Sequence, residues 1–84
     1  MTKEKIFEVI KHNLLGILPD LDPASIEPLQ SMRDLGANSI DRADVVIQSM
    51  EELNLKFPLH ELGAVENIQG LIDFFHTKYL GNNP

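Results

Sequence analysis

The chain has 84 residues and no cysteine, which allows one compact domain and excludes disulfides, zinc–thiolate sites and thiol nucleophiles. Thirteen acidic residues against 7 basic ones give a formal net charge of -6, which argues against nucleic acid, whose phosphates attract Lys and Arg. Apolar residues make up 43%, an ordinary share for a globular protein, and no apolar run is long enough to span a bilayer. The opening MTKEKIFEVI lacks the basic, apolar and small-residue order of a signal peptide. The expectation is a single cytoplasmic domain over residues 1–84, monomeric, with neither nucleic acid nor membrane as a partner.

Three segments carry helical periodicity. In the first, from about Thr2 to Leu15 or Leu18, the apolar residues Ile6, Ile10, Leu14 and Ile17 recur every third or fourth position. Thr2 suits the N-cap, Glu4 suits the positive end of the helix dipole, and Pro19 bounds the segment. The stretch from Pro19 to Ala37 is long for a connection in so small a domain. Within it Asp22-Pro23 reads as a cap and first helical position, and Ser31 and Asp34 are spaced to cap another turn. Leu18, Leu21, Ile26, Leu29, Met32 and Leu35 are expected to pin this loop over the helices. Gly36 sits where a left-handed residue is cheap.

The second helix is expected from Ser39 to about Leu53, capped by Asn38 with Asp41 completing an imperfect capping box. A short turn at Leu59 to Leu62, ended by Gly63, precedes a third segment from about Ile68 to Leu80. There Ile68, Leu71, Ile72, Phe75 and Tyr79 form one apolar stripe, with Asn67 as cap and Gly81 as stop. Residues 81–84, GNNP, read as a frayed tail. No segment alternates as a half-buried strand does, so the fold class is all-α.

Ser39 falls at the start of a helix after a glycine turn, where its hydroxyl is expected to be exposed and a phosphate ester would meet the positive end of the dipole. On the residues alone Ser39 is either such an attachment point or a helix-start residue that only helps to cap. Nucleophilic catalysis is poorly supported. The context GANSI is not a G-x-S-x-G elbow, and none of His12, His60 and His76 lies near Ser39 in sequence. No metal-ligand spacing is present. On a helical wheel Asp41, Asp44, Gln48, Glu51 and Glu52 gather on one side of the second helix, and Val45, Val46, Met50 and Leu53 serve the core. Ile40, Ala43 and Ile47 widen the apolar arc beyond what one packing stripe needs. That arc is either a docking strip rimmed by acids or a solvated acidic face beside the core.

The run LGANSIDRADVV resembles the attachment motif of acyl and peptidyl carrier proteins. In that family a Leu-Gly turn precedes Asp-Ser-Leu, and the serine accepts 4′-phosphopantetheine. The matching residues are Leu35, Gly36, Asn38, Ser39 and Ile40, and the resemblance extends over nearly the whole chain, including the Phe57-Pro58 step. It implies a four-helix bundle with a long first loop and a short third helix. It also implies a carrier rather than an enzyme, with Ser39 as the covalent cofactor site. Asp41, Asp44 and Glu51 become partner-facing acids, with Ile40, Ala43 and Ile47 as the apolar contacts beside them. The implied partners are a phosphopantetheinyl transferase and acyltransferase or ketosynthase-type enzymes. Two departures alter the charge around the serine and are candidates for partner discrimination: Asn38 replaces the usual Asp, and Arg42 places a cation in the docking helix. The runs NSIDRAD and PLHEL are more similar to the free-standing donor carriers of polyketide β-branching cassettes, which supply acetyl to a synthase resembling hydroxymethylglutaryl synthase. The alternatives are a fatty-acid-type or peptidyl carrier, an unmodified helical interaction domain, or, with least support, a small hydrolase using Ser39.

Overall fold

Each helix starts at a side chain able to replace a missing backbone acceptor. The Thr2 hydroxyl accepts a hydrogen bond from the Lys5 N–H at 3.2 Å, and α1 runs Lys3–Ile17. Asn38 opens α2, Ser39–Leu53, and the Asn67 side-chain oxygen accepts from the Gly70 N–H at 2.8 Å to open α3, Ile68–Asn82. Two short 3₁₀ helices, Pro23–Ser25 and Leu59–Ala64, lie in the connections. The computed structural model describes residues 2–82, and no strand occurs among them. The fold is therefore all-helical with three α-helices. The short third helix of the expected four is the 3₁₀ helix Leu59–Ala64, which continues one residue past Gly63. Gly81 does not stop α3, which extends to Asn82; the remainder of the expected frayed tail, Asn83 and Pro84, lies outside the described residues.

The core is built from single faces of the three helices. Ile6, Ile10 and Leu14 of α1, Val45, Val46 and Leu53 of α2, and Ile68, Leu71, Ile72 and Phe75 of α3 are buried. The 3.6-residue period places these residues in contiguous stripes. α2 and α3 pack chiefly on α1 rather than on each other. Ile17 and Tyr79, expected to end their stripes, are only partly buried. One buried contact is polar: the Asn13 side-chain amide donates to the Ser49 hydroxyl at 3.1 Å across α1 and α2. It satisfies two groups that would otherwise be stranded in the core.

The long loop is structured along its length. Asp22 caps the first 3₁₀ turn through the Ala24 N–H at 3.0 Å. Ser31 accepts from the Asp34 N–H at 3.0 Å, and the turn that follows closes through Gly36 N–H to the Arg33 carbonyl and Ala37 N–H to the Met32 carbonyl, both 3.0 Å. That closure requires Gly36 at φ 106°, a left-handed conformation that suits glycine. The loop is also joined to α3: the Ile68 N–H donates to the Gln30 carbonyl at 2.9 Å and the Gln69 N–H to the Pro28 carbonyl at 2.7 Å. Ile26 is buried, and Leu18, Leu21, Met32 and Leu35 are partly buried against the core. Leu29 breaks the expected pattern at 80% exposure. It lies between the two carbonyls that face α3, and its side chain is left facing solvent.

At the other end of α2 the Leu55 N–H returns to the Met50 carbonyl at 2.9 Å and Asn54 adopts φ 56°, a left-handed helix stop. Phe57 then packs edge-on against Phe74 at 4.9 Å between centroids. Lys78 lies over the Phe74 ring at 5.4 Å and bonds Glu61 at 2.7 Å, fastening the second 3₁₀ helix to α3. Lys3 and Asp73, 2.9 Å apart, join the start of α1 to α3, and hydrogen bonds from Lys3 and Gln69 hold the Asp73 carboxyl below the usual carboxylate range.

The contrast between Ile26 and Leu29 gives a test of the loop. Ile26→Ala is expected to cost about 2–5 kcal/mol, whereas Leu29→Ala is expected to stay within about 0.5 kcal/mol. Urea unfolding of both variants measures the difference, and equal losses would contradict the burial described for this loop.

Candidate functional site

The end of the loop and the start of α2 form one device. Ala37 is buried and anchors the chain. Asn38 then turns outward in extended conformation and caps the helix. Its side-chain oxygen accepts from the Asp41 N–H at 2.8 Å, while the Asp41 carboxylate accepts from the Asn38 N–H at 3.2 Å. This is a complete capping box, although Asp replaces the longer Glu usual at its third position. The box leaves the N–H groups of Ser39 and Ile40 without a hydrogen-bond partner among the described residues. Ser39 is exposed. An exposed hydroxyl beside two open N–H donors at the positive end of a 15-residue helix is a favourable setting for a phosphate ester.

The predicted docking residues divide by exposure. Ile40 is 71% exposed and Ile47 40% exposed, large values for isoleucine. Asp44 and Glu51 are exposed, Ala43 is half-buried, and Asp41 is half-buried because its carboxylate is engaged in the cap. Ile40, Asp44, Ile47 and Glu51 therefore share one outward face. Toward the helix end that face meets a groove of about 390 Å³ lined by Ile47, Met50, Leu55 and Leu59, with Glu51 at its side.

Arg42 lies elsewhere. At about 100° per residue it falls some 160° from the outward acids and on the flank toward the core. There it lines a cavity of about 110 Å³ with Arg33, Val46 and Leu71. Arg33 was not singled out by the sequence, because nothing local to it marks proximity to α2. None of the histidines hydrogen-bonds Ser39 among the described residues; His12 and His60 are exposed and His76 is on α3. No group of metal-ligating side chains occurs among the described residues, and no described helix is long and apolar enough to cross a membrane.

Known proteins agree with this arrangement. The family described as phosphopantetheine attachment site matches residues 9–75. The polyketide biosynthesis acyl-carrier-protein AcpK of Bacillus subtilis is 41% identical over 78 residues, covering 93% of this chain and 95% of that protein. The chain belongs to the acyl carrier protein family. Its cofactor is 4′-phosphopantetheine, and members of the family serve as carriers rather than as catalysts. A more distant acyl carrier protein, from Thermosynechococcus vestitus, is 28% identical over 79 residues, covering 93% of this chain and 96% of that one. Among solved structures, a chain from the crystal structure of the curacin biosynthetic pathway HMG synthase in complex with acetyl donor-ACP superposes with a TM-score of 0.86 at 37% identity, covering 93% of this carrier and 100% of that chain.

The capping box sets the geometry of this carrier's helix start, so it is open to mutation. Asn38→Ala is expected to lower stability by about 0.5–2 kcal/mol, while Asn38→Asp, which keeps an acceptor, is expected to preserve most of it. Thermal unfolding of the two variants measures this; an equal loss in both would show that the cap bond contributes little.

Proposed function

We propose that this carrier holds an acetyl group on 4′-phosphopantetheine attached to Ser39 and donates it to an HMG-synthase-like enzyme during β-branching of a polyketide. The observation that supports the attachment is the exposed Ser39 hydroxyl at the open donor end of α2. The surroundings fit the group: the hydroxyl makes no hydrogen bond among the described residues, and Asp41, the nearest acid in sequence, accepts from the Asn38 N–H. The donor role is supported by the likeness to the acetyl donor-ACP of the curacin pathway and to a polyketide carrier. When bound, the cofactor supplies a terminal thiol that carries the acyl group as a thioester.

The chain itself supplies an address. On a phosphopantetheinyl transferase, Ser39 Oγ would attack the pyrophosphate of coenzyme A: the Oγ–P bond forms, the P–O bond of the anhydride breaks, adenosine 3′,5′-bisphosphate leaves, and the hydroxyl proton passes to a base of the transferase. The same α2 face then meets the acyltransferase or ketosynthase-type enzymes that load the carrier and the synthase that unloads it. Ile40 and Ile47 offer apolar contact, and Asp44 and Glu51 offer charge to a basic rim. Exposed charge of this kind speeds encounter more than it tightens binding. Tethering raises the effective concentration of the acyl group at each docked enzyme.

Incubation with coenzyme A and a broad-specificity transferase, followed by intact mass, is expected to show one phosphopantetheine on the wild type and none on Ser39→Ala. Loading of the Ala variant would overturn the assignment. The loaded carrier, acetylated and offered to an HMG-synthase-like enzyme with a β-ketoacyl carrier, is expected to transfer acetyl faster than a fatty-acid-type carrier; equal transfer would remove the donor role and leave a general carrier.

Reversal of Asp44 and Glu51 to Lys is expected to slow transfer by roughly 2- to 30-fold, because exposed ion pairs contribute about 0.2–1 kcal/mol each. Added salt is expected to narrow the gap between variant and wild type, since such charges are screened over about 10 Å at 0.1 M. Unchanged kinetics under both tests would reduce the acidic face to a solubility feature.

A further inference from the structure

Arg33 and Arg42 are cations in an acidic protein, and neither takes part in an ion pair or a side-chain hydrogen bond among the described residues. By contrast, Lys3 and Lys78 each hold a carboxylate. The two arginines come from different parts of the chain, the turn that closes the long loop and the first turns of α2, and they line the same cavity of about 110 Å³. Its floor is apolar, with Val46, Leu62, Val65 and Leu71. Glu66 is the acid in the lining; one carboxylate, unbonded to either guanidinium, leaves the pair with net positive charge.

The position relative to Ser39 gives this pair its meaning. Ser39, Arg42 and Val46 stand at i, i+3 and i+7 on α2, so they form one stripe along the helix. Residues three apart on a helix have Cβ atoms about 5–6 Å from one another, well within the length of an arginine side chain. A phosphate on Ser39 would therefore sit one turn from Arg42, which lines a cavity together with Arg33. Guanidinium binds phosphate oxygens through paired N–H donors, and is preferred to ammonium where two oxygens are presented together.

Resting on Ser39 as the attachment site, we propose that Arg33 and Arg42 form an intramolecular clamp for the phosphodiester that Ser39 acquires. The clamp holds the proximal end of the arm along the stripe from Ser39 toward Val46, away from the outward face of Ile40, Asp44, Ile47 and Glu51. The carbon skeleton next to the phosphate carries two methyl groups, which match the apolar floor of Val46 and Leu71. The clamp thus separates the two functions of α2 in space, with the arm on one flank and the docking surface on the other.

The test uses the whole protein in apo and loaded forms, with loading driven to completion by excess transferase and verified by intact mass. The side-chain Nε–H NMR signals of Arg33 and Arg42 are expected to move on loading and to move back toward their apo positions in 1 M salt. In protein loaded with a 15N-labelled arm, the amide nearest the phosphate is expected to show restricted motion that is lost in the Arg33→Gln, Arg42→Gln double variant. Complete loading of the wild type with no movement of either arginine signal would overturn the clamp and leave Ser39 as the attachment site. Failure of the wild type to load, or loading of Ser39→Ala, would overturn the attachment reading itself, so the two failures are distinguishable.

Discussion

The bonds from the Ile68 and Gln69 N–H groups to the Gln30 and Pro28 carbonyls are the constraint on which the site depends. α2 and α3 pack chiefly on α1, and the cavity beside them is lined by residues of the loop and the second 3₁₀ helix as well as of both helices. A loop that must start at the end of α1 and deliver Ser39 at the surface needs a fixed point midway. The start of α3 provides it, because a helix leaves its first donors without partners in its own backbone. The same geometry treats the two helix starts unequally. In α3 the first donors are consumed by the loop and by Asn67; in α2 those of Ser39 and Ile40 stay open.

That asymmetry is reinforced by the choice of cap. Asn38 supplies an acceptor without a charge, so it fastens the helix but does not neutralise the positive end of the dipole. Asp41 does carry a charge, and its carboxylate faces back to the Asn38 N–H. It belongs to the folding of the helix start as well as to the acidic surface, whereas Asp44 and Glu51, exposed and without ion pairs among the described residues, are available to a partner.

Much of this was legible in the sequence because it rests on short-range rules. The caps Thr2, Asn38 and Asn67, the turn at Asp22-Pro23, the bond between Asp34 and Ser31, and the positive φ of Gly36 all follow from residues within five positions of each other. The resemblance to the family motif added the expectation for Ser39 as attachment site, which the local chemistry alone left open. What escaped the reading depends on long-range register. Nothing local to Asn13 or Ser49 marks either as buried, and only the packing of α1 on α2 makes them partners. Leu29 was misread as a pin because an apolar residue in a loop has no period to show which way it faces. Gly81 is a weak stop when the helix can continue through it. Arg33 became significant only when the turn through Gly36 carried it to the flank of α2.

The exposure of Ile40 and Ile47 is consistent with this division of α2. Burying a side chain of this kind contributes about 1.5–3 kcal/mol, and the fold forgoes part of that at two neighbouring positions while Val45, Val46, Ser49 and Leu53 fill the inner face. A helix in which every apolar side chain turned inward would have no apolar contact to offer, and one with a wider exposed strip would associate without discrimination. Two isoleucines interleaved with Asp44 and Glu51 lie between those limits. The apolar contact is small, and the acids beside it carry like charge, so a second copy of the carrier would meet repulsion strip to strip. A carrier that must visit several enzymes in turn needs both properties. Both come from one arrangement of side chains, on a helix whose opposite flank is fixed in the core.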